Sequence, residues 1–402
     1  MNIQNRTIYC KDNLDILKGI DSETVDMIYL DPPFNSKKAW SAPIGSMAEG
    51  AEFKDTWNLS DIEEEWVETI HDEYPELHQF LKGMKMWSRI SDVGYIAYMA
   101  VRIIECRRVL KSTGTLWYHC DHVMNDYVKI MLDIIFGRDH DINNIVWCYT
   151  GGGISKDYFG KKHDNLFWYR KGKSHTFNLD DVRIPYKESA QFRVDEEGRA
   201  YSMKNGKKYY KNVNGKIPQD WWSDIQPLHP VAKERTGYPT QKPLVLLHRI
   251  IKASTNEGDF ILDPFCGCAT TCVAAHQLNR KWAGIDISPK AFELVVDRVE
   301  ENANDLFNHG KINLKLTVPV RSVEDKKEEQ QSSEERKRRA HTIYVRETVY
   351  ERDGGKCVNC GSKDHIEYDH IIPFSKGGSD DVNNTQILCK SCNLKKSNKS
   401  HA

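Results

Sequence analysis

The sequence predicts an α/β protein, a mainly parallel sheet with helices on both faces, followed by a small metal-stapled module. Three observations lead there. Between Asn2 and Val320, short apolar runs of strand length alternate with stretches of helical spacing, the rhythm of strand–helix–strand units. Two of these strands, far apart in the chain, run straight into turns that begin with aspartate, Asp31 and Asp263. Near the C-terminus Cys357, Cys360, Cys389 and Cys392 form two C-x-x-C pairs, a spacing that suits a metal rather than disulfides.

Val25–Leu30 (VDMIYL) is apolar and bounded by Asp31-Pro32-Pro33, which predicts a buried strand that stops abruptly. Tyr95–Leu110 has the apolar spacing of a helix, and Lys111–Gly114 reads as a turn into a strand at Thr115–Tyr118. Leu244–Ala253 is a second helix. Asp259–Leu262 is a strand, followed by the turn Asp263–Gly267 (DPFCG) and a helix at Thr270–Leu278. Trp282–Ile285 is a further strand, ending in Asp286. Arg321–Arg339 is charged and nearly free of apolar residues, so it reads as a linker, extended or as a solvent-exposed helix. Ile343–Ser400 is the compact C-terminal module.

A chain of 402 residues has room for two or three domains. No apolar run approaches the roughly 18 residues of a membrane span, and Met1–Lys11 lacks a signal peptide's apolar core. The 11 cysteines are odd in number, and Cys10, Cys106, Cys120 and Cys148 are isolated, as expected in the reducing cytoplasm. The balance of 57 basic and 58 acidic residues hides two unlike segments. Ala51–Phe80 holds ten acids and one base, net −9, whereas Thr150–Pro243 holds eighteen bases and eleven acids, net +7. A basic, aromatic-rich segment attracts a polyphosphate backbone, although a solvated surface has the same composition.

The turn after Asp263 brings backbone close to a ligand, and Asp286, twenty-three residues later, can hold ribose hydroxyls. A dinucleotide would need G-x-G-x-x-G to seat its pyrophosphate. Here the turn is Gly267-Cys268-Ala269 behind an acid, which suits a cationic, phosphate-free ligand such as S-adenosylmethionine. At the other strand end, Pro32 and Pro33 stiffen the chain and remove two backbone donors. The Asp31 carboxylate and the Pro32 carbonyl can accept both hydrogens of an exocyclic base amine, and Phe34 can stack on the base. Such a base must be flipped from its duplex.

These residues resemble the motif set of the beta-group amino-methyltransferases of DNA: Asp31–Phe34, then Thr240–Pro243 (TQKP) before a helix, then Asp263–Gly267 and Asp286. The resemblance spans roughly residues 1–320 and implies a doubly wound, Rossmann-like sheet with an inserted target-recognition region at about 150–238. It implies that Asp31, Pro32, Pro33 and Phe34 hold the target base. Thr240, Gln241, Lys242, Asp263, Pro264, Phe265, Gly267 and Asp286 would bind the methyl donor. Ala269 departs from the second glycine common in the family, and its methyl would crowd the donor. Asp at position 31 leans toward adenine over cytosine. Lys161, Lys162, Arg170, Lys207, Lys208 and Lys211 become phosphate candidates, Gly151-Gly152-Gly153 a loop, and Trp221 and Trp222 either base wedges or core. The acidic segment reads as a solvated insertion or a protein-contact surface.

Four cysteines suit a closed tetrahedral zinc site, which a small module with few apolar residues needs in order to fold. Asp369-His370, Pro373, Asn384 and Asn393 around the cysteines resemble the HNH endonuclease module over roughly Cys357–Lys396, implying a ββα-metal domain at 341–402. The resemblance makes His370 the general base, with Asn384 holding its loop. Asp369 and Asn393 would ligate magnesium or manganese, oxygen donors suiting a hard ion. Lys395, Lys396 and Lys399 would grip the backbone.

The expected protein is a cytoplasmic enzyme that methylates adenine in double-stranded DNA and carries a nuclease, in restriction–modification or phage defence. A homodimer is common in the resembled family. The alternatives are a zinc module that only binds DNA, a cytosine-N4 target, and an RNA or protein-amine substrate.

Overall fold

The computed structural model describes residues 2–36, 38–57, 62–151, 156–187, 190–301, 311–373 and 376–396. It divides into two compact units, Met1–Ile62 with Ser88–Ser322, and Glu63–Trp87 with Val323–Ala402. The strands begin with β1 (Thr7–Cys10), β2 (Val25–Leu30), β3 (Lys38–Ser41), β4 (Glu52–Asp55) and β5 (Leu110–Asp121). Next come β6 (Asp141–Cys148), β7 (His163–Arg170), β8 (Arg193–Val194), β9 (Ala200–Lys204), β10 (Lys207–Tyr210) and β11 (Trp221–Trp222). The last are β12 (Phe260–Asp263), β13 (Lys281–Asp286), β14 (Asn313–Lys315), β15 (Ile366–His370) and β16 (Thr385–Cys389). The helices are α1 (Asn13–Gly19), α2 (Glu64–Glu73), α3 (Pro75–Trp87), α4 (Ile90–Val109) and α5 (Asn125–Phe136). They continue with α6 (Leu244–Ser254), α7 (Thr270–Gln277), α8 (Lys290–Glu301), α9 (Val323–Asp353) and α10 (Lys390–Lys396).

Nine strands of the first unit form one sheet in the order β11-β6-β7-β5-β2-β12-β13-β1-β14. Only β7 runs antiparallel to its neighbours β5 and β6, so the expected mainly parallel α/β sheet is present. Its central strands β2 and β12 are mostly apolar and buried, as in sheets covered on both faces. Met27, Tyr29, Trp117, Ile261 and Trp282 pack in one core with Leu246, Leu247, Ile250 and Ile251 of α6. Those α6 residues recur at the spacing of one helical face, while Asp12 caps α1 by accepting from Leu14 N at 2.8 Å. The turn expected at Lys111–Gly114 is instead absorbed into β5. Val25 pairs with Leu110 but Met27 with Thr115, a bulge that keeps the strand continuous. At Gly114 a Cβ would stand 3.0 Å from the carbonyls of Lys111 and Val25.

In the second unit, β15, β16 and α10 form a ββα module. The stretch expected as a linker is the first half of α9, which continues unbroken into this module. Its charges have partners: Arg336 Nε lies 2.6 Å from Glu73, Arg339 2.7 Å from Glu76 and Lys337 3.7 Å from Asp72. The acidic helices α2 and α3 therefore belong with the C-terminal unit, and their carboxylates face α9 rather than bulk water alone.

Candidate functional site

Strands β2, β12 and β13 are parallel neighbours whose registers set Ile28 beside Leu262 and Asp263 beside Gly284. Their C-terminal ends share one sheet edge, where open α/β sheets bind ligands. A cavity of about 800 Å³ opens there. Asp31, Pro32, Pro33 and Phe34 line it together with Asp263, Pro264, Phe265, Gly267 and Asp286, and with Thr240, Gln241 and Lys242. The two strand ends singled out in the sequence thus meet in one void.

Around β12, Asp263 accepts from Phe265 N at 3.0 Å, and Asp286 accepts from Gly267 N at 2.9 Å and Ser288 N at 2.8 Å. Burial pushes the Asp263 carboxyl up to about 7, against hydrogen bonds from Thr271 and Phe265. Burial likewise pushes Asp286 up to about 6, against its two backbone donors. Gly267 has φ +50°, and a Cβ there would meet the Tyr238 ring at 3.0 Å. Ala269 adopts the left-handed region, φ 55°, at the start of α7. Its methyl is buried in the core, packed with Cys266 and Cys272, so the departure from glycine is accommodated as backbone strain.

Around β2, the Lys242 ammonium lies 2.8 and 2.7 Å from the two oxygens of Asp31 and 5.3 Å from the Phe34 ring centroid. Two residues earlier Thr240 sits at φ 63°, a strained conformation for a β-branched side chain. The loop beyond Phe34 is anchored by acids. Asp55 accepts from Asn35 N at 2.5 Å and Ser36 N at 2.9 Å, and Asp92 accepts from Asn35 Nδ2 at 2.9 Å.

Sequence reasoning missed these anchors, and also Asp12 and Asn13, which line the cavity. Asn13 donates to the Pro264 carbonyl at 2.9 Å, and the buried Arg102 joins Asn13 and Asp12 at 2.6 and 3.0 Å. A signal existed at Asp12, an N-cap at the mouth of a strand. None existed at Asp55 or Asp92, lone acids in acidic or helical surroundings. Tyr238, which lines the cavity, was missed as well, since a single aromatic in a loop carries no pattern.

The basic segment splits by role. Arg170 donates to the carbonyls of Lys173 and Asp139, which makes it structural. Lys208 covers Tyr201 and Lys211 covers Phe192. Lys204 and Lys207 flank the Asn205-Gly206 turn of an exposed hairpin, both turn residues at positive φ, the two-residue turn that suits a twisted ribbon. Trp222 is core and Trp221 half exposed. Gly152, Gly153 and Lys399 lie outside the described residues.

In the C-terminal unit the four Sγ atoms of Cys357, Cys360, Cys389 and Cys392 lie within 4.8 Å of one another. A tetrahedral zinc–thiolate centre, with bonds of about 2.3 Å, fits that spacing. Asn384 braces the loop after His370, accepting from Ile372 N at 2.8 Å and donating to the carbonyls of Ile372 and Ser379. His370 Nε2 lies 2.6 Å from Asp380. Lys396 touches both Asp369 Oδ2 and the His370 carbonyl, and Asn393 donates to Glu367 at 2.8 Å. Asp369 and Asn393 therefore hold protein partners, Lys396 and Gln386 at Asp369 and Glu367 at Asn393.

Residues 25–297 match the family described as DNA methylase, and residues 357–399 match the HNH endonuclease family. The type II methyltransferase M.HpaI of Haemophilus parainfluenzae is 28% identical over 304 residues, 75% of this chain and 76% of the relative. The DNA adenine methyltransferase YhdJ of Escherichia coli K12 is 28% identical over 299 residues, 73% of this chain and 83% of the relative. Among solved structures, the PvuII DNA methyltransferase (cytosine-N4-specific) aligns with TM-score 0.47 at 13% identity, covering 78% of this chain and 98% of that one. Among the described residues no helix is long and apolar enough to cross a membrane.

Proposed function

The chain belongs to the DNA methylase family, and we propose that it methylates the exocyclic amine of adenine in duplex DNA and cleaves DNA with its C-terminal HNH module. One observation carries the methylation reading: Asp31 and the Asp263–Asp286 pair, from distant parts of the chain, line the same cavity.

Bound there, S-adenosylmethionine supplies an electrophilic methyl group. The cavity suits it: a glycine cradle that a Cβ would fill, a carboxylate at Asp286 for ribose hydroxyls, and Asp263 close by for a cationic ligand. Asp31 and the Pro32 carbonyl accept the two amine hydrogens, so the nitrogen lone pair is less conjugated with the ring and better aimed. Phe34 stacks on the flipped base. Lys242 fixes the Asp31 carboxylate, and positioning of this kind supplies much of the rate. The proton released from the methylated amine leaves by way of Asp31 to solvent. Asp rather than Ser at position 31 favours adenine, in keeping with the adenine-methylating relative from Escherichia coli. Exposed cations of the hairpin, Lys204 and Lys207, would meet DNA phosphates.

For the second module, Asp369 and Asn393 would hold magnesium or manganese once Lys396 yields, with His370 taking a proton from the attacking water. A restriction–modification or phage-defence setting follows from pairing the two activities. The test is to express wild type and Asp31→Ala in a methylation-free host and map modified bases. N6-methyladenine in one sequence context, lost in the variant, is expected; N4-methylcytosine would overturn the target assignment. Magnesium-dependent plasmid nicking lost in His370→Ala supports the nuclease, whereas no nicking by active wild type leaves the module as a zinc-stapled DNA anchor.

A further inference from the structure

Phe34 is the ring assigned to the target base, yet it projects from a loop and not from a strand. What holds its plane is a residue outside every motif. His119, on β5, is fully buried, and its ring lies in an offset stack with Phe34, centroids 5.9 Å apart and planes at 27°. Both ring nitrogens are engaged. Nδ1 is 2.9 Å from the Tyr29 hydroxyl, and Nε2 is 3.0 Å from Asp164 Oδ2. Asp164 Oδ1 in turn accepts from Tyr149 at 3.0 Å, and Trp147 packs edge-on against the imidazole at 5.6 Å and 86°. With a hydrogen-bond partner at each nitrogen, every polar atom of the buried ring is satisfied and its rotation is blocked. Although burial raises the Asp164 carboxyl, the hydrogen bond and charge of His119, the Lys242 charge and the Tyr149 hydrogen bond bring it below the usual carboxylate range. The acceptor therefore stays ionised.

The His119 ring is buried and held on three sides, yet it does not line the cavity. We propose that His119 is a positioning residue for methyl transfer, a clamped platform that sets the ring plane of Phe34 and through it the plane of the flipped base. The proposal rests on the reading that Phe34 stacks on that base.

The test uses the full chain, unmethylated plasmid DNA and labelled S-adenosylmethionine, with His119→Gln, Phe34→Ala and the double variant. Glutamine keeps an N–H for Asp164 and removes the ring. The expected result for His119→Gln is a kcat about tenfold lower, the scale of a small misplacement of a reacting group. KM for DNA, affinity for S-adenosylmethionine and the number of S-adenosylmethionine sites per chain should stay at wild-type values, whereas a partly unfolded variant would lose binding sites in proportion to kcat. Because His119 acts through Phe34, the double variant should be no slower than Phe34→Ala. Phe34→Ala at the wild-type rate would overturn the base-stacking reading and this inference with it. Phe34→Ala impaired, but His119→Gln unimpaired or multiplying the loss in the double variant, would overturn the inference alone. Should His119→Gln fail to fold, Tyr149→Phe loosens Asp164 without touching a ring in the stack. It is expected to lower kcat by a smaller factor, and an unchanged kcat counts against the platform.

Discussion

The Lys242 ammonium grips both oxygens of Asp31, at 2.8 and 2.7 Å. Sequence reasoning gave Lys242 to the methyl donor, yet its contact is with the carboxylate expected to receive the target amine. The pair is largely buried, side chains 9% and 19% exposed, so losing one partner strands the other. Lys242→Met is expected to lower kcat for methyl transfer by about tenfold to a hundredfold through lost orientation, with little change in KM for S-adenosylmethionine. A raised KM at unchanged kcat would return the lysine to donor binding.

Asp263 and Asp286 make the protein's stability depend on pH in an unusual direction. Both are raised by burial, to about 7 and about 6, from an ordinary 3.8. Between those limits the folded state holds more protons than the unfolded one, so stability falls as pH rises from about 4 to 7 through these two groups. Asp263→Asn and Asp286→Asn are therefore expected to raise the Tm of the ligand-free protein at pH 7.5. Asp286→Asn should weaken S-adenosylmethionine binding, and wild-type affinity should fall below pH 6 as Asp286 becomes protonated. Calorimetric titration across pH 5 to 8 checks both, and a Tm lowered at pH 7.5 in both variants would contradict the account.

What was legible in the sequence and what was not divide along physical lines. The strand read at Val25–Leu30, and the one read at Asp259–Leu262 and found at Phe260–Asp263, were legible because apolar runs stop at Asp31 and Asp263, and parallel pairing then fixes where those acids emerge. Asp55, Asp92 and His119 were not, since a single buried polar residue has no period and its partner is set by packing. Thr240 and Ala269 show no strain in one dimension; their positive φ appears only in the fold. The helix at Val323–Asp353 was obscured because it lacks an apolar stripe over its first half. The acids that partner it lie in residues 64–76, remote in the chain.

Zinc removal should separate the two modules. Cys360 Sγ and Cys389 Sγ are 3.6 Å apart, close to the thiolate spacing around a zinc with bonds of about 2.3 Å. Beside them the packed core comprises little more than Leu388 with the cysteines, and Val345, Val349 and Ile387 nearby. Metal binding is then expected to supply folding free energy to this module. About one zinc per chain is expected by elemental analysis. Chelation, or Cys389→Ser, should abolish nicking and remove a thermal transition while methyl transfer persists. Nicking retained in a zinc-free preparation would show that the thiols are not a staple.

Removing residues 323–402 should damage more than the HNH module. Helices α2 and α3 bury Trp66, Ile70, Leu77, Leu81 and Met84, and they share a compact unit with α9. Glu73 is held by Arg336 at 2.6 Å and by Ser333 at 2.5 Å, and Arg336 reaches Glu329 at 2.6 Å as well. Arg336 is three-quarters buried at its side chain and Glu73 more so, so this is a partly desolvated network rather than a loose surface pair. Glu73→Arg places like charges together and should destabilise the unit by about 1–3 kcal/mol. High salt should weaken wild type in the same direction, since about 1 M shortens the screening length to about 3 Å. Truncation at Ser322 removes α9 altogether and leaves the acidic helices without the element they pack on. Hydrogen exchange should then reveal lost protection across Glu64–Trp87 in the truncated chain. The same readout should show an intermediate loss in Glu73→Arg. Unchanged protection in both would mean that α2 and α3 are held by their own contacts and that α9 is dispensable to them.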